Sequence, residues 1–148
     1  MAANTSPIFG RTPDVQVSGA VQGPTAVTAQ DGTGSLQSIF QADTNEGGWV
    51  DSVVCKPVGS PAATVIRLFY HDTNGAFTPG TTNTAANTAL IDEISTILTT
   101  SSNTQAQNAY VFSVRRQMKP GNRLLIGFGT STGAAGTGYA VTTFGSKY

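Results

Sequence analysis

The sequence predicts an all-β domain: a jelly-roll-like or Greek-key β-sandwich of about eight strands. Three observations lead to this expectation. The chain has 148 residues, which is the length of one domain. Only 11% of the residues are charged, against about 25% in an average globular protein, which argues against a coiled coil and against charge-rich disorder. Short runs of β-branched and aromatic residues alternate with turn-forming clusters along the whole chain.

The first two strand candidates are short. Val15-Gln16-Val17 alternates apolar and polar residues, which indicates a strand that continues weakly to Val21. The second candidate, 35–40, follows the turn signal Asp31-Gly32-Thr33-Gly34.

The third and fourth candidates, 48–58 and 64–71, are longer and more apolar. Strict alternation predicts two faces for 48–58, one with Trp49, Val53 and Cys55 and the other with Val50, Val54 and Val58. The run 64–71 is largely apolar on both faces and dense in β-branched and aromatic residues, which is typical of a central strand.

The segment 89–98 is compatible with two structures. Leu90, Ile91, Ile94, Ile97 and Leu98 follow the spacing of one helical face. Leu90, Ile94 and Leu98 also fit the alternation of a strand, and the flanking sequence is rich in β-formers. We therefore expect a strand and keep the helix as the alternative.

Three further strands are expected in the last third of the chain, at 109–114, 123–128 and 139–144. The turn Lys119-Pro120-Gly121-Asn122 lies between the first two and predicts a hairpin. A loop rich in Gly, Thr and Ala, 129–138, precedes the last strand.

The N-terminal segment, 1–13, is expected to be an extended arm in front of a single β-sandwich domain, 14–148. Pro7 and Pro13 exclude it from the centre of a sheet. Ile8 and Phe9 could anchor it on its own domain or on a neighbouring protein. The segment lacks the basic and apolar regions of a signal peptide, and no apolar run reaches the about 18 residues of a membrane helix.

Few residues could support catalysis or metal binding. His71 is the only histidine and Cys55 the only cysteine, so the paired ligands of a zinc site are absent, and Cys55 is expected to be a buried structural thiol. Gly129-Thr130-Ser131-Thr132-Gly133 matches the pattern of a serine-hydrolase nucleophile turn. The sequence after Ser131 is a poor helix, however, and His71 precedes the serine instead of following it. We expect no enzyme, no cofactor and no metal; a hydrolase would need His71 in a cleft beside Ser131.

Half of the basic residues lie close together in the sequence. They are Arg115, Arg116, Lys119 and Arg123. This cluster is either a solvated turn or a docking patch for an acidic neighbour or for another copy of the chain. The formal net charge of zero and the lack of interleaved aromatic residues at this turn argue against nucleic-acid binding. The predicted protein interface consists of these four residues and of Pro7, Ile8, Phe9 and Arg11 in the arm.

Several short motifs occur in a characteristic order. They are Asn4-Thr5-Ser6-Pro7-Ile8-Phe9, Asp31-Gly32-Thr33-Gly34, Arg67-Leu68-Phe69-Tyr70-His71-Asp72, Leu90-Ile91-Asp92-Glu93-Ile94 and a C-terminal strand with glycine and aromatic residues. In this order the chain resembles a family of small β proteins encoded near the capsid genes of tailed phages and prophages. The resemblance also favours a strand at 90–98.

The resemblance implies a virion structural protein of the capsid decoration or cement type. Such a protein would bind the outer surface of the head and stabilise contacts between subunits of the major capsid protein, after assembly in the host cytoplasm. The expected partners are the major capsid protein and further copies of the chain itself, as a homotrimer, and neither nucleic acid nor a membrane. The alternative is a carbohydrate-binding jelly-roll module of a phage tail or receptor-binding protein. Its stacking platforms would be Trp49, Tyr70, Tyr110 and Tyr139.

Overall fold

The structure, a computed structural model, describes residues 12–18 and 21–148. These residues form eight β-strands and no helix. In chain order the strands are β1 (Thr12–Val17), β2 (Gln37–Gln41), β3 (Gly48–Val58), β4 (Val65–His71), β5 (Thr88–Ser95), β6 (Tyr110–Met118), β7 (Arg123–Phe128) and β8 (Gly138–Lys147).

The strands form two antiparallel sheets of four strands each. Sheet 1 has the order β1-β8-β3-β6, and sheet 2 has the order β2-β7-β4-β5. The first strand pairs with the eighth, the second with the seventh, the third with the sixth and the fourth with the fifth. This nested pairing is that of a jelly roll, in which a two-stranded ribbon is folded into two facing sheets. The predicted fold class and number of strands are confirmed.

The space between the two sheets is filled by one apolar core. Its largest fully buried side chains include Phe40, Phe112 and Tyr139. The Tyr139 ring stacks on Phe128 with a centroid distance of 5.6 Å and meets Tyr110 edge-on at 6.0 Å. Aromatic rings from both sheets therefore hold the sandwich together.

Sheet 2 also has a second apolar cluster, on the side away from this core. Its buried members are Val27, Leu36, Phe69 and Leu125, with Phe77 and Leu90 packed against them. Val27, Leu36 and Phe77 come from loops, which thus cover the outer side of sheet 2. Because both sides of this sheet are covered, β4 is apolar on both faces, and its expected central position between β7 and β5 is confirmed.

Residues 89–95 of the segment lie in β5, residues 96–98 follow it outside any strand, and the helical alternative is wrong. In the register with β4, Leu68 pairs with Asp92 and Phe69 pairs with Leu90, so Ile91 is an extra residue at a β-bulge. The bulge lets Leu90 pack in the outer cluster while Ile91 packs against the core. This irregular placement of apolar residues produced the helix-like spacing.

The predicted faces of 48–58 are wrong at Trp49 and Val50. The register of β3 shifts between Val50 and Ser52 against both neighbouring strands, so Asp51 is an extra residue there. The bulge resets the alternation: Val50, Val53 and Cys55 are buried together, and Trp49 lies on the opposite side.

The predicted hairpin around 119–122 is also wrong. β6 belongs to sheet 1 and β7 to sheet 2, so this turn carries the chain from one sheet to the other. Gly121 has a φ of 74°, and a Cβ at this position would lie 2.1 Å from the Asn74 side chain. The turn therefore requires glycine here for both its backbone conformation and the space beside it.

Several boundaries differ from those predicted. β1 begins at Thr12, two residues before the expected start of the domain at 14, and includes Pro13. This proline is tolerated because β1 is an edge strand. The last strand continues to Lys147 and β6 to Met118. The arm residues predicted as interface, Pro7, Ile8, Phe9 and Arg11, lie outside the described residues.

The two sheets are joined by side-chain hydrogen bonds at the edge formed by β1 and β2. Gln16 Nε2 donates to the backbone oxygen of Gln41 at 2.9 Å, and the Gln41 amide donates to Gln16 Oε1 at 2.9 Å. The side-chain amide thus takes the place of a neighbouring strand for Gln41. Gln16 Nε2 also donates to Asp14 at 2.6 Å, and Asp14 lies 3.6 Å from the Lys147 ammonium group.

Candidate interaction surface

The side of sheet 1 that faces away from the core carries three cross-strand rows of residues, which we call the outer face of sheet 1. The rows follow from the strand registers. They are Pro13, Ser146, Trp49 and Gln117; Val15, Phe144, Ser52 and Ser113; and Val17, Thr142, Val54 and Val111. None of these twelve residues is charged, and seven of them are apolar.

Large apolar side chains on this face are open to solvent. The exposed fractions are 66% for Val17, 53% for Val15, 51% for Val111, 41% for Phe144 and 38% for Trp49. These five residues are most of the exposed large hydrophobic residues in the described part of the chain. Exposed apolar groups gathered on one side of a sheet differ from the scattered ones found on most soluble proteins, and they indicate an interaction surface.

Strand β1 is oriented opposite to a usual half-buried strand. Its valines, Val15 and Val17, are exposed, whereas Asp14 and Gln16 are partly buried at the sandwich edge. A strand of a sheet with one solvated face normally turns its apolar residues to the core and its polar residues to water. The outward face of β1 is therefore apolar and exposed.

The outer face of sheet 1 is of moderate size. Four strands and three rows span about 19 Å by 20 Å, a footprint of about 400 Å². That is within the range at which an apolar patch is often functional, and about half of one side of a standard protein interface. Asp51 and Arg115, the exposed residues at the bulges of β3 and β6, lie between the first two rows.

The four basic residues of the predicted patch have different environments. Arg115 and Arg116 are exposed on the edge strand β6. Neither side chain makes an ion pair or hydrogen bond with any described residue. Lys119 lies 3.1 Å from Asp72 in an exposed ion pair. Hydrogen bonds from Asn122 and Lys119 lower the pKa of the Asp72 carboxyl, and the bond to Asp72 raises the pKa of Lys119.

Arg123 is buried and has a structural role. Its guanidinium donates to the backbone oxygen of Gly75 at 2.8 Å and lies 5.7 Å from the centre of the Phe77 ring. Burial lowers its pKa. Arg123 thus fixes the loop between β4 and β5 onto the sandwich.

The residues needed for a hydrolase are far apart. His71 is 1% exposed, and its Nδ1 lies 2.9 Å from the Thr88 hydroxyl. Burial and the nearby Arg123 lower its pKa. Ser131 donates to the backbone oxygen of Pro24 at 2.7 Å. His71 pairs with the first residue of β7 and Ser131 follows its last, which separates the two by about 17 Å or more along the strand.

The side chains of Cys55 and Asp43 have structural roles. Cys55 is a free, fully buried thiol, as predicted, and burial raises its pKa to about 12. The Asp43 carboxylate accepts hydrogen bonds from the backbone amides of Asn45 and Glu46, which lower its pKa and close a tight turn. Across residues 12–18 and 21–148, no group of three His, Cys, Asp or Glu side chains could hold a metal ion. No helix in the same residues could span a bilayer.

The aromatic residues proposed as sugar platforms do not form one surface. Tyr139 is fully buried, while Tyr70 and Tyr110 are half-buried. The hydroxyl of Tyr70 accepts a hydrogen bond from Asn122 and that of Tyr110 from the Ile97 amide. Trp49 alone of the four is exposed. This arrangement gives a carbohydrate-binding module little support.

Along the edge between β5 and β6 the sandwich has a groove. A depression of about 470 Å³ is lined by Tyr70, Ala89, Ile91, Arg115, Arg116 and Gln117. A smaller one of about 70 Å³ shares Ile91 and Arg116 and is bordered by Asp92. We call the two together the β5–β6 groove.

Comparison with known proteins identifies no relative: no family model matches the chain, and neither the curated proteins nor the solved structures contain a significant match.

Proposed function

We propose that the protein is a virion structural protein, a capsid decoration or cement protein that binds the outer surface of a tailed-phage head. The observation that carries the proposal is the outer face of sheet 1, where five large apolar side chains are exposed on a sheet whose other side is packed into the core. The low overall charge and the resemblance in the sequence support the same function. In this proposal the outer face of sheet 1 binds the major capsid protein.

The size of this face determines how strongly one copy can bind. Burying about 400 Å² of mainly apolar surface yields at most about 10 kcal/mol from this side. Association itself costs about 4–15 kcal/mol in lost freedom of motion. A single copy therefore binds weakly. A homotrimer that contacts several capsid subunits at once gains affinity, because its second and third contacts are intramolecular.

The sandwich is well suited to resisting force between capsid subunits. It has no disulfide, and its rigidity comes from a continuous core between the sheets and from the loops packed on sheet 2. A stiff body bound across a joint adds its interface energy to the energy needed to separate the two subunits. A flexible protein would instead extend under the force that separates the capsid subunits and would resist it little.

Co-sedimentation with heads of the encoding phage that lack the protein tests the proposal. The wild-type chain should pellet with the heads, whereas Val17→Asp should bind at least tenfold more weakly because it buries a charge in the interface. Leu98→Asp is the matched control: Leu98 is 68% exposed, close to the 66% of Val17, but lies outside the outer face of sheet 1. Absence of wild-type binding, or equal loss in both variants, would contradict the proposal.

A further inference from the structure

We propose that the β5–β6 groove binds an extended acidic peptide segment of a partner protein and that Arg115 and Arg116 hold one of its carboxylates. The proposal concerns a second surface, which adjoins the outer face of sheet 1 at Gln117, and does not depend on which protein covers that face.

The two arginines differ from the other described arginines in having no acceptor. Arg67 donates to Glu93 at 2.8 Å, and Arg123 donates to a backbone oxygen. The side chains of Arg115 and Arg116 line the same depression and have no ion pair or hydrogen bond with a described residue. A guanidinium presents a planar set of donors that matches a carboxylate, so the pair can bind an anion.

The backbone at Arg115 supports this assignment. Arg115 has a φ of 45°, the only positive φ of a non-glycine residue in the described chain. This left-handed conformation costs an ordinary L-residue about 1–2 kcal/mol, and glycine or asparagine would adopt it more easily. It lies in the bulged part of β6, where the register jumps from Ser113 to Arg116. Bulges at sheet edges commonly redirect a side chain toward a functional site.

The rest of the larger depression complements a peptide. Ala89 and Ile91 supply an apolar floor. The Tyr70 hydroxyl accepts a hydrogen bond from Asn122 at 2.7 Å, which leaves its own proton available for an acceptor such as a carboxylate. Alternate side chains of an extended peptide point to opposite sides, so acidic residues at every second position can all face the two arginines. The peptide backbone between them then runs along the strand edges.

The ends of the groove are not equivalent. Arg115 and Arg116 line the larger depression, whereas Asp92 borders the smaller one. A carboxylate is attracted to the first and repelled from the second. Both β5 and β6 are edge strands, so each has backbone groups that no other strand pairs with and that an extended segment can use. These features give the bound segment a preferred direction.

Titration with two capped pentapeptides tests the proposal. The probe alternates valine and glutamate, and its control alternates valine and glutamine, while amide chemical shifts of the full chain are recorded by NMR. The glutamate peptide should give saturable shifts at Ala89, Ile91 and Gln117, and its affinity should fall several-fold between about 0.05 and about 0.5 M salt. The glutamine peptide should bind at least tenfold more weakly.

Two variants localise the binding. Arg115→Asn with Arg116→Gln removes both charges and keeps a residue that tolerates the left-handed backbone, and it should lower the affinity at least tenfold. Lys147→Gln removes one charge on β8, which β3 separates from β6 in sheet 1, and should leave the affinity unchanged. A dispersed amide spectrum confirms that each variant is folded.

Equal binding of the two peptides, or unchanged binding by the double variant, would overturn the proposal. The arginines would then serve only to keep the edge of β6 from pairing with other strands. Because the peptides occupy the groove alone, a negative result leaves the co-sedimentation test of the outer face of sheet 1 unaffected.

Discussion

Replacing Gln16 by alanine should destabilise the sandwich at the edge where β1 meets β2. The substitution removes the two 2.9 Å hydrogen bonds with the backbone of Gln41 and the 2.6 Å bond to Asp14. A net hydrogen bond in a protein contributes about 0.5–1.5 kcal/mol, and water can reach part of this edge, so we expect a loss of about 1–2 kcal/mol. For a domain of this length the melting temperature should fall by about 2–8 °C.

Urea denaturation and thermal melting at pH 7, followed by circular dichroism, measure this loss. Gln117→Ala is the matched control, because Gln117 is an exposed glutamine on the edge strand β6 and its side chain makes no hydrogen bond with a described residue. Its unfolding free energy should stay within about 0.5 kcal/mol of wild type. If Gln16→Ala is no less stable than Gln117→Ala, the amide of Gln16 does not join the sheets and the reasoning is refuted.

Three further predictions concern single residues. Burial lowers the pKa of His71 in the folded state, so the folded state binds fewer protons than the unfolded state. The unfolding free energy should therefore be constant well above pH 6.5 and decrease as the pH falls below it. His71→Gln should show a smaller decrease than wild type when the urea midpoints at pH 7.5 and 5.5 are compared. Cys55 should not react with a thiol reagent in the native protein and should react fully in about 6 M guanidinium; rapid reaction without denaturant would contradict its burial. Gly121→Ala should cost at least about 1 kcal/mol in urea unfolding because of the positive φ and the contact with Asn74, and Gly75→Ala, which meets no neighbouring atom, should cost less.

The fold could be predicted from the sequence to the level of strands, but not to the level of their pairing. The apolar character of 64–71 on both faces identified a central strand because sheet 2 is covered on both sides. The bulges at Asp51 and Ile91 could not be predicted, since an extra residue is defined only against the register of a neighbouring strand. The bulge at Asp51 is also the reason why the faces predicted for 48–58 were wrong at Trp49 and Val50.

The candidate surface could be predicted only in part from the sequence. The alternation of Val15 and Val17 with Asp14 and Gln16 is visible, but it identifies two faces without saying which one meets the core. That choice depends on Gln16 bonding to β2, a contact between residues 25 positions apart. The basic cluster shows a related limit: Arg116 and Arg123 are close in sequence, yet the turn between them places one at an exposed edge and the other under a loop.

The nested strand pairing has a consequence for how the protein matures during synthesis. The first strand is completed by the last, with Thr12 opposite Lys147, and β8 contributes to every row of the outer face of sheet 1. A chain still emerging from the ribosome therefore lacks this surface until β8 has been synthesised. Contacts between such distant parts of a chain also form slowly. Chains that terminate before β8 cannot assemble the apolar face, so only molecules that contain β8 would be competent to bind through it.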